Sequence, residues 1–312
     1  MSKALGIDTS NYTTSAAVFD SNDGAFTNSR QLLVVKNGEI GLRQSDAVFQ
    51  HTKNLPEIVR AACENQNDFC AVGVSNRPRP LADSYMPCFL SGVAVAEGIS
   101  AATGKKLYKF SHQAGHIAAA LFSSNCLDLI GKKFISFHVS GGTTEAVLVN
   151  YDKDNFFRAD IIAQSTDLKM GQAVDRIGNM LGIAFPAGKE LDKLSLSGCL
   201  PMPVKISING LNCSISGVEN QARELINRGC NREDVAYFTI EFLYKTLDKM
   251  TENIIKEFGN LPLVFAGGVM SNSIISKRLS EKYGAHFATP QLSSDNAVGI
   301  AVMTALLHDN GR

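Results

Sequence analysis

Residues 134–150 read FISFHVSGGTTEAVLVN, and residues 4–19 read ALGIDTSNYTTSAAVF. Each stretch is an apolar run, a short turn of glycine or hydroxyl residues, and a second apolar run. That pattern predicts two strands joined by a tight turn. The strands fall at 4–10 and 14–19 in the first copy, around Ser10-Asn11-Tyr12-Thr13. In the second they fall at 134–139 and 144–150, around Ser140-Gly141-Gly142-Thr143. The copies share little identity, so it is the order of elements that marks a duplication.

Working outward, each hairpin opens a similar series. Residues 32–35 extend the first sheet, 45–65 read as helix, and 70–75 (CAVGVS) as a buried strand. Asn76-Arg77-Pro78-Arg79-Pro80 follows, and its prolines exclude helix and central strand. An apolar helix at 88–103, a short strand at 107–109 and a helix at 112–124 complete the first half. In the second half, helices are expected at 170–183, 233–258, 272–282 and 295–308, with strands at 262–266 and 285–288. The chain should be α/β in two lobes, 1–130 and 131–312, with the closing helix 295–308 packing back on the first. No low-complexity linker separates them. At 312 residues and 45% hydrophobic composition, the chain can bury more than one core.

Composition narrows the function. Lys plus Arg equals Asp plus Glu, 30 against 30, so net charge gives no argument for a nucleic-acid partner. The pairs Lys105-Lys106 and Lys132-Lys133 read as solvated surface. Seven scattered cysteines without a C-x-x-C pair read as reduced thiols, which suits the cytoplasm. Neither a leader peptide nor a run of about 18 apolar residues is visible, so no membrane span is expected.

Four segments carry chemistry. Asp8-Thr9-Ser10-Asn11-Tyr12-Thr13-Thr14 is a hydroxyl-rich turn, which is either a plain turn or a concavity for phosphate oxygens. Ser140-Gly141-Gly142-Thr143-Thr144 sits at the matching point of the second half, where two glycines allow close approach of an anion to backbone. Leu263-Val264-Phe265-Ala266-Gly267-Gly268-Val269-Met270-Ser271-Asn272 is a strand that runs through two glycines into a helix, suited to a base or ribose on the backbone and anionic groups at the helix start. His112-Gln113-Ala114-Gly115-His116 places two histidines one helical turn apart. That spacing suits a metal site or two partly buried side chains. Asp295, before the last helix, is the best third ligand, or else an N-cap.

Paired phosphate-type hairpins resemble the nucleotide clamp of the actin, Hsp70 and sugar-kinase (ASKHA) superfamily. A nucleotide cleft lined by 9–14, 140–144 and 267–272 is therefore expected. The four motifs in this order resemble the TsaD/Gcp family, the tRNA threonylcarbamoyladenosine synthases once named O-sialoglycoprotein endopeptidases, over nearly the whole chain. The most specific pieces are H-x-x-G-H, the strand-G-G-V-x-x-N segment and the late S-D-N. The resemblance implies a divalent metal, iron or zinc, on His112, His116 and Asp295. It implies adenylate contacts from Ser140, Gly141, Gly142, Gly268 and Asn272. The family's D-D-A-x-G-E-x-x-D-K helix looks like residues 167–176, which carries over Asp167, Gly171 and Asp175, the last toward a ribose hydroxyl. The implied reaction is transfer of threonylcarbamoyl from its adenylate to N6 of the tRNA adenosine beside the anticodon, with accessory subunits or a second copy as partners.

The chain also departs from the family pattern. The turn T-S-C-D-E-T reads Thr9-Ser10-Asn11-Tyr12-Thr13-Thr14, without either acid. A G-P-G loop has become Arg77-Pro78-Arg79-Pro80. The histidine of S-G-G-H-T is Thr143, the helix acid is Gln172, and a K-T pair is Glu219-Asn220. These changes keep two alternatives open: a catalytically degenerate nucleotide-binding partner or regulator, and a small-molecule carbamoyl or phosphoryl transferase whose substrate sits on Arg77 and Arg79. A zinc peptidase is disfavoured, because no H-E-x-x-H is present.

Overall fold

The structure is a computed structural model that describes residues 2–10, 12–35, 42–81, 83–293 and 296–311. Two compact units emerge. One comprises Met1–Ile130, Tyr151–Ala159 and Leu292–Arg312; the other comprises Gly131–Asn150 and Asp160–Gln291.

The first unit opens with β1 (Lys3–Ser10), β2 (Thr13–Asp20) and β3 (Ser29–Leu32), followed by α1 (Gln44–Ala62) and β4 (Ala71–Arg77). Next come α2 (Phe89–Thr103), β5 (Lys106–Ser111) and α3 (His112–Ser123). The second series is β6 (Phe134–Val139), β7 (Thr144–Asp152), β8 (Phe156–Gln164), α4 (Met170–Met180) and α5 (Gly188–Ser195). Then follow β9 (Ser207–Asn209), β10 (Asn212–Ser214), α6 (Gly217–Asn227) and α7 (Arg232–Phe258). The chain closes with β11 (Leu263–Ala266), α8 (Ser273–Tyr283), β12 (His286–Phe287) and α9 (Val298–Asp309).

Among the described residues the two hairpins found in the sequence start separate five-stranded sheets, ordered β3-β2-β1-β4-β5 and β8-β7-β6-β11-β12. In each, the hairpin is antiparallel: Lys3 pairs with Asp20 through to Ser10 with Thr13, and Phe134 with Val149 through to Val139 with Thr144. Two later strands then add in parallel, β4 and β5 to β1, and β11 and β12 to β6. The repeated order is the duplication that the sequence suggested.

Alternation along β1 explains the layers of the first unit. Leu5 and Ile7 pack with Leu55 and Ile58 of α1, whereas Ala4 packs with Val298 and Ala301 of α9. Burying a Leu or Ile side chain contributes roughly 1.5–3 kcal/mol. Small residues set the depth of α9: a Cβ on Gly6 would lie 2.5 Å from the Ala301 nitrogen, and one on Gly299 would lie 1.9 Å from the Gly115 carbonyl oxygen. Gly115, the glycine between the two histidines, receives that contact through its carbonyl, and a Cβ of its own would lie 3.0 Å from Ile300 Cδ1, so helix packing favours glycine there.

The Gly299 contact gives a test. Gly299→Ala should cost at least about 1–3 kcal/mol of unfolding free energy, because backbone must move to admit the methyl group. Gly98, exposed in α2 with open space around it, should instead gain about 0.5–1 kcal/mol on replacement by Ala. Urea titrations of both variants read this directly.

Candidate functional site

In the second unit, α4 and the loops after β6 and β11 surround a cavity of about 540 Å³. After β6, Ser140 and Thr143 close a turn: the Ser140 N–H donates to the Thr143 carbonyl at 2.7 Å, and the Thr143 N–H to Ser140 Oγ at 3.1 Å. The start of α4 is then pressed onto this turn. The Gly171 N–H donates to the Ser140 carbonyl at 3.1 Å, and a Cβ on Gly171 would lie 2.5 Å from the Gly141 nitrogen. Glycine at 171 is thus the condition for the contact. Gln172, which stands where the family pattern has an acid, accepts the Lys169 N–H at 3.2 Å and still caps the helix.

After β11, Gly267 has φ +103°, and a Cβ there would lie 2.3 Å from the Val139 carbonyl oxygen. Gly268 has no neighbour within 4 Å of its missing Cβ and faces open space. Asn272 caps α8 by accepting the Ile275 N–H at 3.0 Å and donates through Nδ2 to Asp192 Oδ1 at 2.6 Å. Asp192, in α5, also takes Ser273 Oγ at 3.2 Å. Asp175 accepts the Ala187 N–H at 2.9 Å.

Gly141, Gly171, Asp175, Gly268 and Asn272 all line the cavity, whereas Ser140, Gly142 and Asp167 are not among its lining residues. Asp167 is committed elsewhere. Its carboxylate takes Ser214 Oγ at 2.5 Å and the N–H groups of Ile215 and Ser216 at 2.7 and 3.1 Å. Partial burial alone would raise its pKa, but these donors outweigh it and hold the group well below the usual carboxylate range. Lys189 and Asp192 also line the cavity and were missed in the sequence. Helix α5 begins after Ala187 with no side-chain cap, which removes the usual start signal.

In the first unit, polar groups gather where β1, β4 and β5 end. Asp8 is fully buried. It accepts a short hydrogen bond from Ser75, one from Ser10 Oγ at 2.7 Å, and faces His112 Nδ1 at 3.1 Å. Burial pushes its pKa up, but His112 and the two hydroxyls reverse this, so the net shift is downward and Asp8 stays ionised. His112 opens α3, and His116 follows one turn later with ring centroids 4.3 Å apart. Among the described residues no set of three His, Cys, Asp or Glu side chains converges as a metal cage. Asp295, the expected third ligand, lies outside the described residues, as does Asn11 of the first turn.

Among the described residues of that first turn, the hydroxyls of Thr9, Ser10 and Thr14 are already engaged within the unit. Thr9, Ser10, Thr13 and Thr14 are buried. Thr9 Oγ1 donates to the Cys88 carbonyl at 3.0 Å, and Thr14 Oγ1 meets His51 Nδ1 at 2.8 Å. Being hydroxyl-rich reflects hydrogen bonding inside the unit.

Comparison with known proteins places this geometry in a class. HypF from T. kodakarensis matches with a TM-score of 0.61 at 14% identity over 99% of this chain and 48% of that one. A ROK family glucokinase from Streptomyces griseus, solved with glucose and AMPPNP, matches with a TM-score of 0.54 at 13% identity over 97% and 99%. At such identities the likeness carries the fold, which is of the actin-like and sugar-kinase type.

A family profile described as TsaD, tRNA N6-adenosine threonylcarbamoyltransferase, matches residues 28–302. The tRNA N6-adenosine threonylcarbamoyltransferase of Persephonella marina is 31% identical over 96% of this chain and 88% of its own length. The chain belongs to the TsaD family of acyltransferases acting in tRNA modification. Among the described residues, no helix is long and apolar enough to cross a membrane.

The buried histidine beside the first turn sets a pH dependence. Burial lowers the His51 pKa from 6.5 to about 4. Between those values the unfolded chain binds a proton that the folded chain does not. Stability should therefore be highest above about pH 6.5 and fall toward pH 4, by up to about 3 kcal/mol from this residue. His51→Gln should flatten that slope in urea titrations across pH 4–7.

Proposed function

We propose that this chain transfers a threonylcarbamoyl group from threonylcarbamoyl-adenylate to N6 of a tRNA adenosine beside the anticodon, with the adenylate held in the second-unit cavity. The observation that carries the reading is the cavity lining, where five residues implied by the family pattern meet in one volume. The size suits a nucleotide-scale ligand. Val174, Ile240 and Val269 supply apolar walls, while Asp175 and Asp192 offer carboxylates to ribose hydroxyls and Gly141 and Gly268 bring backbone to the ligand.

The first unit fits a metal ion. His112 Nδ1 faces the buried carboxylate of Asp8 at 3.1 Å. This is the carboxylate–histidine arrangement that fixes a ligand's tautomer. His116 would be the second ligand and Asp295 the third. Two imidazoles and one carboxylate suit iron or zinc. When bound, the ion would supply Lewis-acid polarisation of the carbamoyl carbonyl. In the transfer, the N6–carbon bond forms, the bond from that carbon to the phosphate oxygen breaks, adenosine monophosphate leaves, and one N6 proton is released to water. The protein's part is positional: Ser75 and Ser10 hold Asp8, Asp8 holds His112, and the α4 start and the 140–143 turn form the seat of the leaving nucleotide.

A second reading is a nucleotide-binding partner without transfer activity. The observation favouring it is Glu219, which stands where the family has lysine and instead pairs with Arg176 and Arg223, each at 3.1 Å. Incubating metal-loaded protein with threonine-labelled threonylcarbamoyl-adenylate and tRNA separates the two. Label in the tRNA adenosine is expected; none with any tRNA, while nucleotide still binds, supports the partner reading. Gly268→Val projects a branched side chain into open space beside the cavity. It should weaken binding of adenosine monophosphate by tenfold or more, on the order of 1.4 kcal/mol, and leave the thermal unfolding midpoint nearly unchanged. Unaltered affinity by calorimetry would remove the nucleotide from this cavity.

A further inference from the structure

One aromatic side chain of the second unit stands in water beside the nucleotide cavity. Phe185 is 82% exposed, more than any other large apolar residue among the described ones. A loose loop does not account for this. On one side the Ile183 N–H donates to the Gly178 carbonyl at 2.8 Å, and on the other the Ala187 N–H donates to Asp175 Oδ1 at 2.9 Å. Ala187 also packs tightly against α4, since a Cβ on Gly178 would lie 2.2 Å from the Ala187 Cβ. The segment that carries the ring is thus tied to α4 at both ends. Its next residue, Pro186, lines the cavity.

Two cations share this edge. In α5, Leu191 and Ser195 are buried, while Lys189 and Lys193, one helical turn apart, lie on the opposite, exposed side. Lys189 lines the cavity as well. Neither ammonium group has a hydrogen bond or ion pair among the described residues. Glu190, also exposed, sits in the first turn, where the helix dipole favours an acid. Phe185, Lys189 and Lys193 therefore follow one another at four-residue spacing, an aromatic face and then two uncompensated charges. An aromatic face offers stacking to any base, and ammonium groups offer charge to a phosphate backbone. RNA loops are the segments whose bases are free to stack in this way. A protein partner fits less well, because lysine is depleted where protein interfaces are fully buried.

We propose that Phe185, Lys189 and Lys193 form a docking edge for the single-stranded loop of the acceptor RNA, with an unpaired base stacked on the Phe185 ring and backbone phosphates on the two lysines. The proposal rests on the transfer reading above for its choice of an RNA loop, and adds where on the second unit that loop is held. All three residues belong to that unit. Because Lys189 also lines the cavity, RNA on this edge lies next to the bound adenylate.

Fluorescence anisotropy on the full chain tests it. The probe is a labelled anticodon stem-loop RNA with an unmodified adenosine beside the anticodon, and the control is the same strand closed into a fully paired duplex. The wild type should bind the stem-loop in preference to the duplex. Phe185→Ala should weaken stem-loop binding by about fivefold or more, the low end of base–aromatic stacking, and Phe185→Trp should retain it. Lys193→Gln should lower the slope of log affinity against log salt by about 0.7, the share of one phosphate contact on a single strand. The urea midpoint and the adenosine monophosphate affinity should stay unchanged in Phe185→Ala and Lys193→Gln. Equal stem-loop affinity in wild type and Phe185→Ala, an equal loss on stem-loop and duplex, an unchanged salt slope in Lys193→Gln, or no stem-loop binding by the wild type would overturn the proposal. So would a Phe185→Ala effect confined to self-association in sedimentation, which would assign the ring to a protein contact. A wild type that binds the stem-loop through Phe185 but transfers no threonylcarbamoyl group counts against the transfer reading alone.

Discussion

The buried carboxylate of Asp8 is the point on which the polar end of the first unit depends. It sits at the carboxyl end of β1, is inaccessible to water, and is ionised. A charge so placed is tolerated only when its lone pairs are filled. Ser10 fills one from the same strand, Ser75 another from β4, and His112 a third from the start of α3. One anion therefore fixes the relative position of two strands and a helix, and orients the first histidine of the pair. Removing it would leave an imidazole and two hydroxyls without their acceptor.

The second unit solves its positional problem with glycine in place of charge. Gly171 lets the start of α4 touch the 140–143 turn, and Gly267 lets the chain leave β11 against the Val139 carbonyl. Both contacts are backbone on backbone, so the cavity beside them is walled by main chain that cannot swing away. Asn272 then links the start of α8 to Asp192 of α5. Repeated sheet order thus supports two chemically different strand ends, one built around a buried anion and the other around close-packed glycines.

Much of this was legible in the sequence. The strands of both hairpins were readable because Leu5 and Ile7 in the first, and Ile135, Phe137 and Val147 in the second, alternate or run together as buried strands do. What escaped had weaker signals. Strand β3 was expected at 32–35 and lies at Ser29–Leu32, where an exposed edge carries polar residues. Strand β8 mixes buried Phe156 and Phe157 with exposed positions further on, and β9 and β10 span three residues each. Helices α5 and α6 start without side-chain caps. At the candidate sites the residue types were visible but not all their uses. Asp8 looked like part of a phosphate turn and is a histidine's partner; Asp167 looked like a ligand contact and holds the 214–216 turn. Neither distinction is encoded locally, because each depends on residues brought from elsewhere in the chain.

The most direct test of the central claim, that Asp8 sets His112 for a metal, is the affinity of the purified protein for iron(II) and zinc(II) in wild type, His112→Ala and Asp8→Asn forms. Stoichiometric binding is expected in the wild type, loss in His112→Ala, and a weakening of about 10–100-fold in Asp8→Asn with the fold retained by circular dichroism. Equal metal affinity in wild type and Asp8→Asn would contradict it.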